Sequence, residues 1–168
     1  MRTDYKASLD LTSKLITSAI FGLVLWLLYR ILIHSQNKAI NEMIGLIVVF
    51  LILSAVFVFS YLWHPKSYTV TDYSVIIQRK LKPLELKINQ INDLQEISKS
   101  DLSGTIRTFG VGGLFGYFGK FYNRKYGTMN WYVTQNKNRV LIELKNGKKY
   151  IISPDDQKFT ENLRKKLR

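Results

Sequence analysis

At 168 residues the chain has room for one ordinary domain plus an appendage. With no cysteine and only two histidines, His34 and His64, a disulfide framework, a thiolate nucleophile and a Cys- or His-based metal cluster are all excluded. The net charge of +13 is unevenly placed: five Lys/Arg and three Asp/Glu precede Pro65, twenty and nine follow it, so a near-neutral apolar front end carries a back end of +11.

Residues Met43–Trp63 form an unbroken run of twenty-one uncharged residues. As a helix this reaches about 32 Å, enough to cross a bilayer core of about 30 Å. The run before it is shorter between charges: Leu15–Tyr29 holds fifteen uncharged residues, about 22 Å of helix. It spans once Lys14 and Arg30 snorkel to the interfaces, which extends the apolar segment to residues 11–33. A secretory signal competes with this reading because Arg2 and Lys6 come first. No small-x-small cleavage site follows, however, and Trp26, Tyr29 and Arg30 suit an interfacial belt. Residues 1–65 are therefore expected to hold a tail and two transmembrane helices, about 11–33 and 43–63.

The nine residues from His34 to Glu42 allow only a tight connection between antiparallel helices, so both termini share one side. Arg2, Lys6 and Lys14 flank the first span and Lys66, Arg79, Lys80 and Lys82 follow the second, against Lys38 and the edge residue Arg30 at the connection. The bias of cytoplasmic flanks toward Lys and Arg puts both termini inside a cell or plasma membrane crossed twice. Tyr61 and Trp63 then lie at headgroup level.

Beyond Pro65 the pattern turns to alternation, the mark of half-buried strands. Tyr68 and Val70 alternate with Thr69 and Thr71, and Asp72-Tyr73 turns the chain into Val75-Ile76-Ile77. Leu84, Leu86 and Ile88 alternate with Glu85 and Lys87 after Pro83, and Leu94–Ser98 is a further short strand. Met129, Trp131 and Val133 oppose Asn130, Tyr132 and Thr134. Arg139–Leu144 and Lys148–Ile152 flank Asn146-Gly147, the pattern of a two-residue type I′ hairpin with positive φ at both central positions. Ser153-Pro154-Asp155-Asp156 then reads as a helix start, with a serine cap, proline at the first helical position and carboxylates at the positive end of the dipole. A helix over about 154–167 follows, its apolar stripe made by Phe159, Leu163 and Leu167.

Six or seven short strands followed by one amphipathic helix suggest a bent antiparallel sheet or barrel plugged by that helix. The run Arg107-Thr108-Phe109-Gly110 through Gly113-Leu114-Phe115-Gly116-Tyr117-Phe118-Gly119, then Val140-Leu141-Ile142 and Tyr150-Ile151-Ile152-Ser153-Pro154-Asp155-Asp156 with Phe159, resembles the bacterial pleckstrin-homology-like domains that are fused to small membrane hairpins. The resemblance covers residues 66–168. It implies a barrel of two near-orthogonal sheets capped by the terminal helix and used as a binding or scaffolding platform. The fold class expected is thus a membrane α-helical hairpin plus an all-β pleckstrin-homology-like barrel capped by a C-terminal helix.

Seven of the ten glycines fall between Gly104 and Gly127, interleaved with Phe109, Phe115, Tyr117, Phe118, Phe121, Tyr122 and Tyr126. Two readings stand. In one, a loop inserts its aromatics at headgroup depth, steadied by Lys120, Arg124 and Lys125. In the other, the glycines bend a strand whose aromatics fill the core. A phosphate-binding loop is excluded, because the run Gly113–Gly119 is followed by Lys120-Phe121 where a Ser or Thr is needed, and the glycine spacing fits neither a P-loop nor a dinucleotide fingerprint.

A basic domain rich in aromatics invites a nucleic-acid reading, but a domain joined within a few residues to a span faces the anionic leaflet instead. No nucleic acid is expected as partner. The candidate contacts to anionic headgroups, or to a protein partner of unknown identity, are Lys120, Arg124, Lys125, Lys145, Lys148, Lys149, Arg164, Lys165, Lys166 and Arg168. Ser153 has no histidine after it, and Asp155 and Asp156 are better placed as caps than as an acid–base pair, so no enzyme and no cofactor are expected. The function that follows is a membrane-anchored binding or scaffold module. The alternative is a docking subunit of a membrane complex in which the hairpin is the functional element.

Overall fold

The two apolar runs become helices of equal length, α1 (Leu11–His34) and α2 (Ile40–Trp63), packed side by side. The computed structural model describes residues 2–34 and 40–167; most of the expected tight connection, residues 35–39, and the candidate contact Arg168 lie outside them. Asp10 starts α1: its carboxylate accepts the amide of Ser13 (2.8 Å) and its carbonyl the amide of Lys14 (3.0 Å).

The tail before α1 is a strand. β1 (Thr3–Lys6) pairs antiparallel with β2 (Pro65–Val70), which begins directly after α2, with Thr3 opposite Val70 and Lys6 opposite Ser67. β3 (Ser74–Arg79) and β4 (Leu84–Lys87) complete a four-stranded antiparallel sheet in the order β1-β2-β3-β4. A short 3-10 turn, Ile88–Gln90, then redirects the chain. The remaining strands are β5 (Ile91–Ile97), β6 (Ile106–Gly113), β7 (Gly116–Asn123), β8 (Gly127–Val133), β9 (Arg139–Leu144) and β10 (Lys149–Ile152). They form a second sheet in the order β5-β9-β10-β8-β7-β6, in which β10 and β8 run parallel. The expected barrel is therefore not closed. After the 3-10 turn β5 takes β9 as its neighbour instead of β4, so both sheets keep free edges.

Period-2 alternation in β9 supplies two cores. Val140 and Ile142 face the four-stranded sheet, where they pack with Tyr68, Ile77, Phe159 and Leu163, while Leu141 on the opposite face packs with Met129, Trp131 and Leu102. Tyr68 is the largest of the fully buried side chains. Its hydroxyl donates to the carbonyl of Tyr132 (2.7 Å) and accepts the amide of Ser153 (3.2 Å), and burial pushes its pKa up to about 12.

Two local readings are corrected by tertiary contacts. α3 spans Lys158–Leu167, four residues later than expected. Ser153 does not cap it, because its hydroxyl accepts the amides of Thr134 (2.9 Å) and Gln135 (3.3 Å). Asp155 accepts the amide and hydroxyl of Ser8 instead (2.9 and 2.5 Å), and Asp156 takes over the start by accepting the amide of Lys158 (2.9 Å). The β9–β10 turn is also longer than type I′. Gly147 alone has positive φ (78°), its amide donates to the Leu144 carbonyl (2.8 Å), and the amide of Leu144 donates to the Lys148 carbonyl (2.9 Å). That is a three-residue loop, a type I turn closed by a left-handed glycine.

The glycine-rich segment is the β6–β7 hairpin. Gly110 and Gly119 face each other across it at φ of 114° and 126°, and a Cβ on either would stand 2.3 Å from a carbonyl oxygen of the opposite strand. Gly119→Ala is expected to lower stability by at least about 2 kcal/mol. Gly127→Ala, at φ +70° but in open space, should cost about 1 kcal/mol. Thermal unfolding in mild detergent compares the two. Tyr68→Phe strips partners from the Ser153 amide and the Tyr132 carbonyl, a loss of about 1–3 kcal/mol. Because the folded state holds the Tyr68 proton more tightly than the unfolded chain, stability should fall between about pH 10 and 12, by about 2–3 kcal/mol, and that slope should flatten in Tyr68→Phe.

Candidate functional site

The place where the helices meet the sheets collects the most distinctive side chains of the molecule. The tip of the β6–β7 hairpin, Leu114-Phe115, is lodged between α1 and α2. The amide of Phe115 donates to the Thr17 hydroxyl of α1 (3.0 Å), and a Cβ on Gly113 would stand 2.5 Å from Ile16. The Phe115 ring, on a residue with φ 55°, packs against Phe57 (5.1 Å between centroids), Tyr61 and His64 (both 5.4 Å). Thr17 and Phe57 each lie six residues inside their helices, so the tip reaches about 9 Å past the helix ends.

Cations surround this plug. The β3–β4 turn comes alongside the end of α2, where the amide of Leu81 donates to the Leu62 carbonyl (3.3 Å). Lys80 places its ammonium 3.5 Å from the centre of the Tyr61 ring, and Arg79 stands over both Trp63 (4.9 Å) and Tyr132 (5.3 Å). The Arg79 Nε donates to the Lys82 carbonyl (2.8 Å), which holds the turn in place. His64 completes the collar. Its Nδ1–H donates to the Tyr61 carbonyl (2.6 Å), and burial, with Lys66 nearby, holds the imidazole pKa below its usual value.

The structure scatters the basic residues named from sequence. Lys120, Lys148 and Lys149 come together around a groove of about 470 Å³ that Asn130 and Tyr150 also line; Lys149 lies 3.8 Å from Glu143 and donates to the Tyr126 carbonyl. Lys145 lies in the β9–β10 turn, its amide on the Gln90 carbonyl (2.8 Å). Arg124 and Lys125 occupy the β7–β8 turn, and Lys125 pairs with Asp101 (2.9 Å), whose carboxyl is held down to about 2. Arg164, Lys165 and Lys166 end α3, with Lys166 paired to Asp72. Asp72 follows β2, so this cluster lies at the other end of a six-residue strand from α2, about 20 Å away.

The collar draws on residues whose sequence signal was only positional. Arg79, Lys80 and Lys82 showed in the sequence as charges flanking a span, and nothing in Leu114-Phe115 announces a socket between two helices. Asp155 and Asp156, the adjacent carboxylates, go to separate partners, as described for Ser8 and Lys158.

Phe115→Ala should free the hairpin tip from three rings. The expected loss is about 2 kcal/mol, read as a thermal midpoint several degrees lower in detergent together with faster protease cleavage at the tip.

Among known families, the model described as bacterial PH domain matches residues 66–167. No curated protein and no solved structure matches the chain.

Proposed function

This chain belongs to the bacterial PH domain family through residues 66–167, and from that premise we propose that it is a membrane-anchored binding module held on the cytoplasmic face by its helical hairpin. The observation that carries the proposal is the state of α1 and α2. Each has 24 residues, about 36 Å of helix, and side chains such as Leu25, Trp26, Leu51, Ile52 and Phe59 stand exposed on the faces that the two helices do not share. Water does not tolerate an apolar surface of that extent, whereas lipid does.

The β1–β2 pairing supports a common side for both termini, since it ties the chain before α1 to the chain after α2. Lys66, Arg79, Lys80 and Lys82 sit at that end, which the positive-inside bias assigns to the cytoplasm. Tyr61 and Trp63 then mark headgroup level and the Phe115 plug enters the upper acyl region. In this arrangement the lipid-facing cations are those of the collar. The grouped Lys120, Lys148 and Lys149 and the α3 cluster of Arg164 and Lys165 point their charge to a protein partner or a second surface. A binding platform needs no acid–base pair, in keeping with a family whose members are typically non-catalytic.

The test is extraction and topology in cells. The protein should stay with membranes through alkaline carbonate and come out only with detergent. An impermeant thiol reagent should modify Asn37→Cys and leave Asn146→Cys untouched until the cells are opened. Recovery in the soluble fraction, or the reverse labelling, would sink the proposal.

A further inference from the structure

The six-stranded sheet holds a buried cation that makes no ion pair among the described residues. Arg139, the first residue of β9, is 7% exposed. Its Nη2 donates to the side-chain oxygen of Asn136, and its guanidinium lies 5.4 Å from the centre of the Trp131 ring. Its Nε is buried with no acceptor, and among the described residues no carboxylate lies within ion-pair distance. The closest acidic link runs through Asn136, whose amide donates to Asp10 (2.9 Å). The indole N–H of Trp131, a residue 6% exposed, is likewise buried without an acceptor. Native interiors leave only a few such groups unmet, here two of them are neighbours on one sheet, and a buried guanidinium normally sits against a carboxylate or phosphate.

Beside these two donors a groove of about 590 Å³ opens between the sheet and the segment that joins β5 to β6. Lys99, Ser103 and Thr105 line it from that segment, and Phe121, Trp131 and Arg139 from the sheet. Among the described residues that line it there is no carboxylate. Asp101, the one acid in the segment, is engaged elsewhere by Lys125 and by the hydroxyl of Ser98 (2.6 Å). Phe121 and Trp131 stack at 4.3 Å with 17° between their planes, which gives the groove an apolar wall.

We propose that this groove binds a phosphate group, with Arg139 and Lys99 as its cations and the Trp131 indole as a neutral donor. Donors from three separate elements suit an anion with acceptor oxygens on several sides, which a phosphate ester offers and a planar carboxylate does not. The organic part of the ester would lie against the Phe121–Trp131 wall. Two sources share this chemistry. Arg139 is linked through Asn136 to Asp10, the residue that starts α1, so a lipid phosphodiester at that level is one source and a soluble phosphate ester is the other. The site goes beyond the membrane reading and does not rest on it, because the soluble ester tests it alone.

The experiment uses the full chain in a nonionic detergent. Glycerol 3-phosphate is titrated calorimetrically with glycerol as control, and native mass spectrometry counts phosphatidylglycerol retained after mixed micelles with phosphatidylcholine. Saturable one-to-one binding of glycerol 3-phosphate identifies the soluble source; retention of one phosphatidylglycerol without it identifies the lipid. In either case Arg139→Gln should weaken binding by more than about tenfold, and Lys99→Gln and Trp131→Phe by about three- to tenfold. Lys99 is exposed and Trp131→Phe keeps an aromatic ring, so these two decide the matter should Arg139→Gln fail to fold. Absence of binding in both arms, or binding that Lys99→Gln and Trp131→Phe leave unchanged, overturns the proposal.

Discussion

The backbone pairing of β1 with β2 is the constraint on which the rest of the molecule depends. Those two strands flank the helical hairpin in sequence, one before α1 and one after α2, and their hydrogen bonds close it into a loop. The closure is reinforced at Ser8, whose backbone and hydroxyl both reach Asp155, and at Asp10, whose amide donates to the Thr134 carbonyl (3.0 Å). The helices are thus built into the sheet domain by residues outside its family-matched segment 66–167. A flexible tether would leave the domain free to tumble at the surface; a strand, a cap and a buried turn do not.

The β6–β7 hairpin makes the same connection from the other side. Its paired glycines let two strands approach where any side chain would strike a carbonyl, and its tip enters the space between α1 and α2. The two readings of the glycine-rich segment therefore divide along the chain. Phe118 and Phe121 are core residues, Phe115 plugs the helices, and Ile106 and Phe109 remain exposed on the edge strand β6. Charge divides in a comparable way. The collar gathers Arg79 and Lys80 onto aromatic faces at the end of α2, while the α3 cluster lies at the far end of β2, where Lys166 meets Asp72.

The interior charge follows a different rule from these surface ones. Lys80 or Lys125 can keep its charge in contact with water or an exposed acid, and its position costs little. Arg139 is enclosed, its pKa lowered by burial, and it shares its wall with a second unmet donor on Trp131. Such an arrangement is tolerable when something supplies oxygens to it, which is why a groove without acids beside it carries chemical meaning.

Local pattern alone determined a good deal. Charge-free length identified both helices, alternation identified strands such as Tyr68–Val70 and Val140–Leu144, and a three-residue apolar stripe placed the terminal helix against the core. These features are written in neighbouring residues, because helix and strand periods are local properties of the chain. Tertiary structure decided everything that depended on competition for a partner. Ser153 and Asp155 carry every mark of a helix cap, yet they are taken by Thr134 and Ser8, so α3 starts at Lys158. Thr3–Lys6 is too short to declare itself a strand and becomes one only because β2 offers an edge. The open sheets, the Phe115 socket and the enclosed Arg139 belong to the same class, for each is fixed by which distant group makes the most favourable hydrogen bond or contact, and sequence spacing holds no record of that contest.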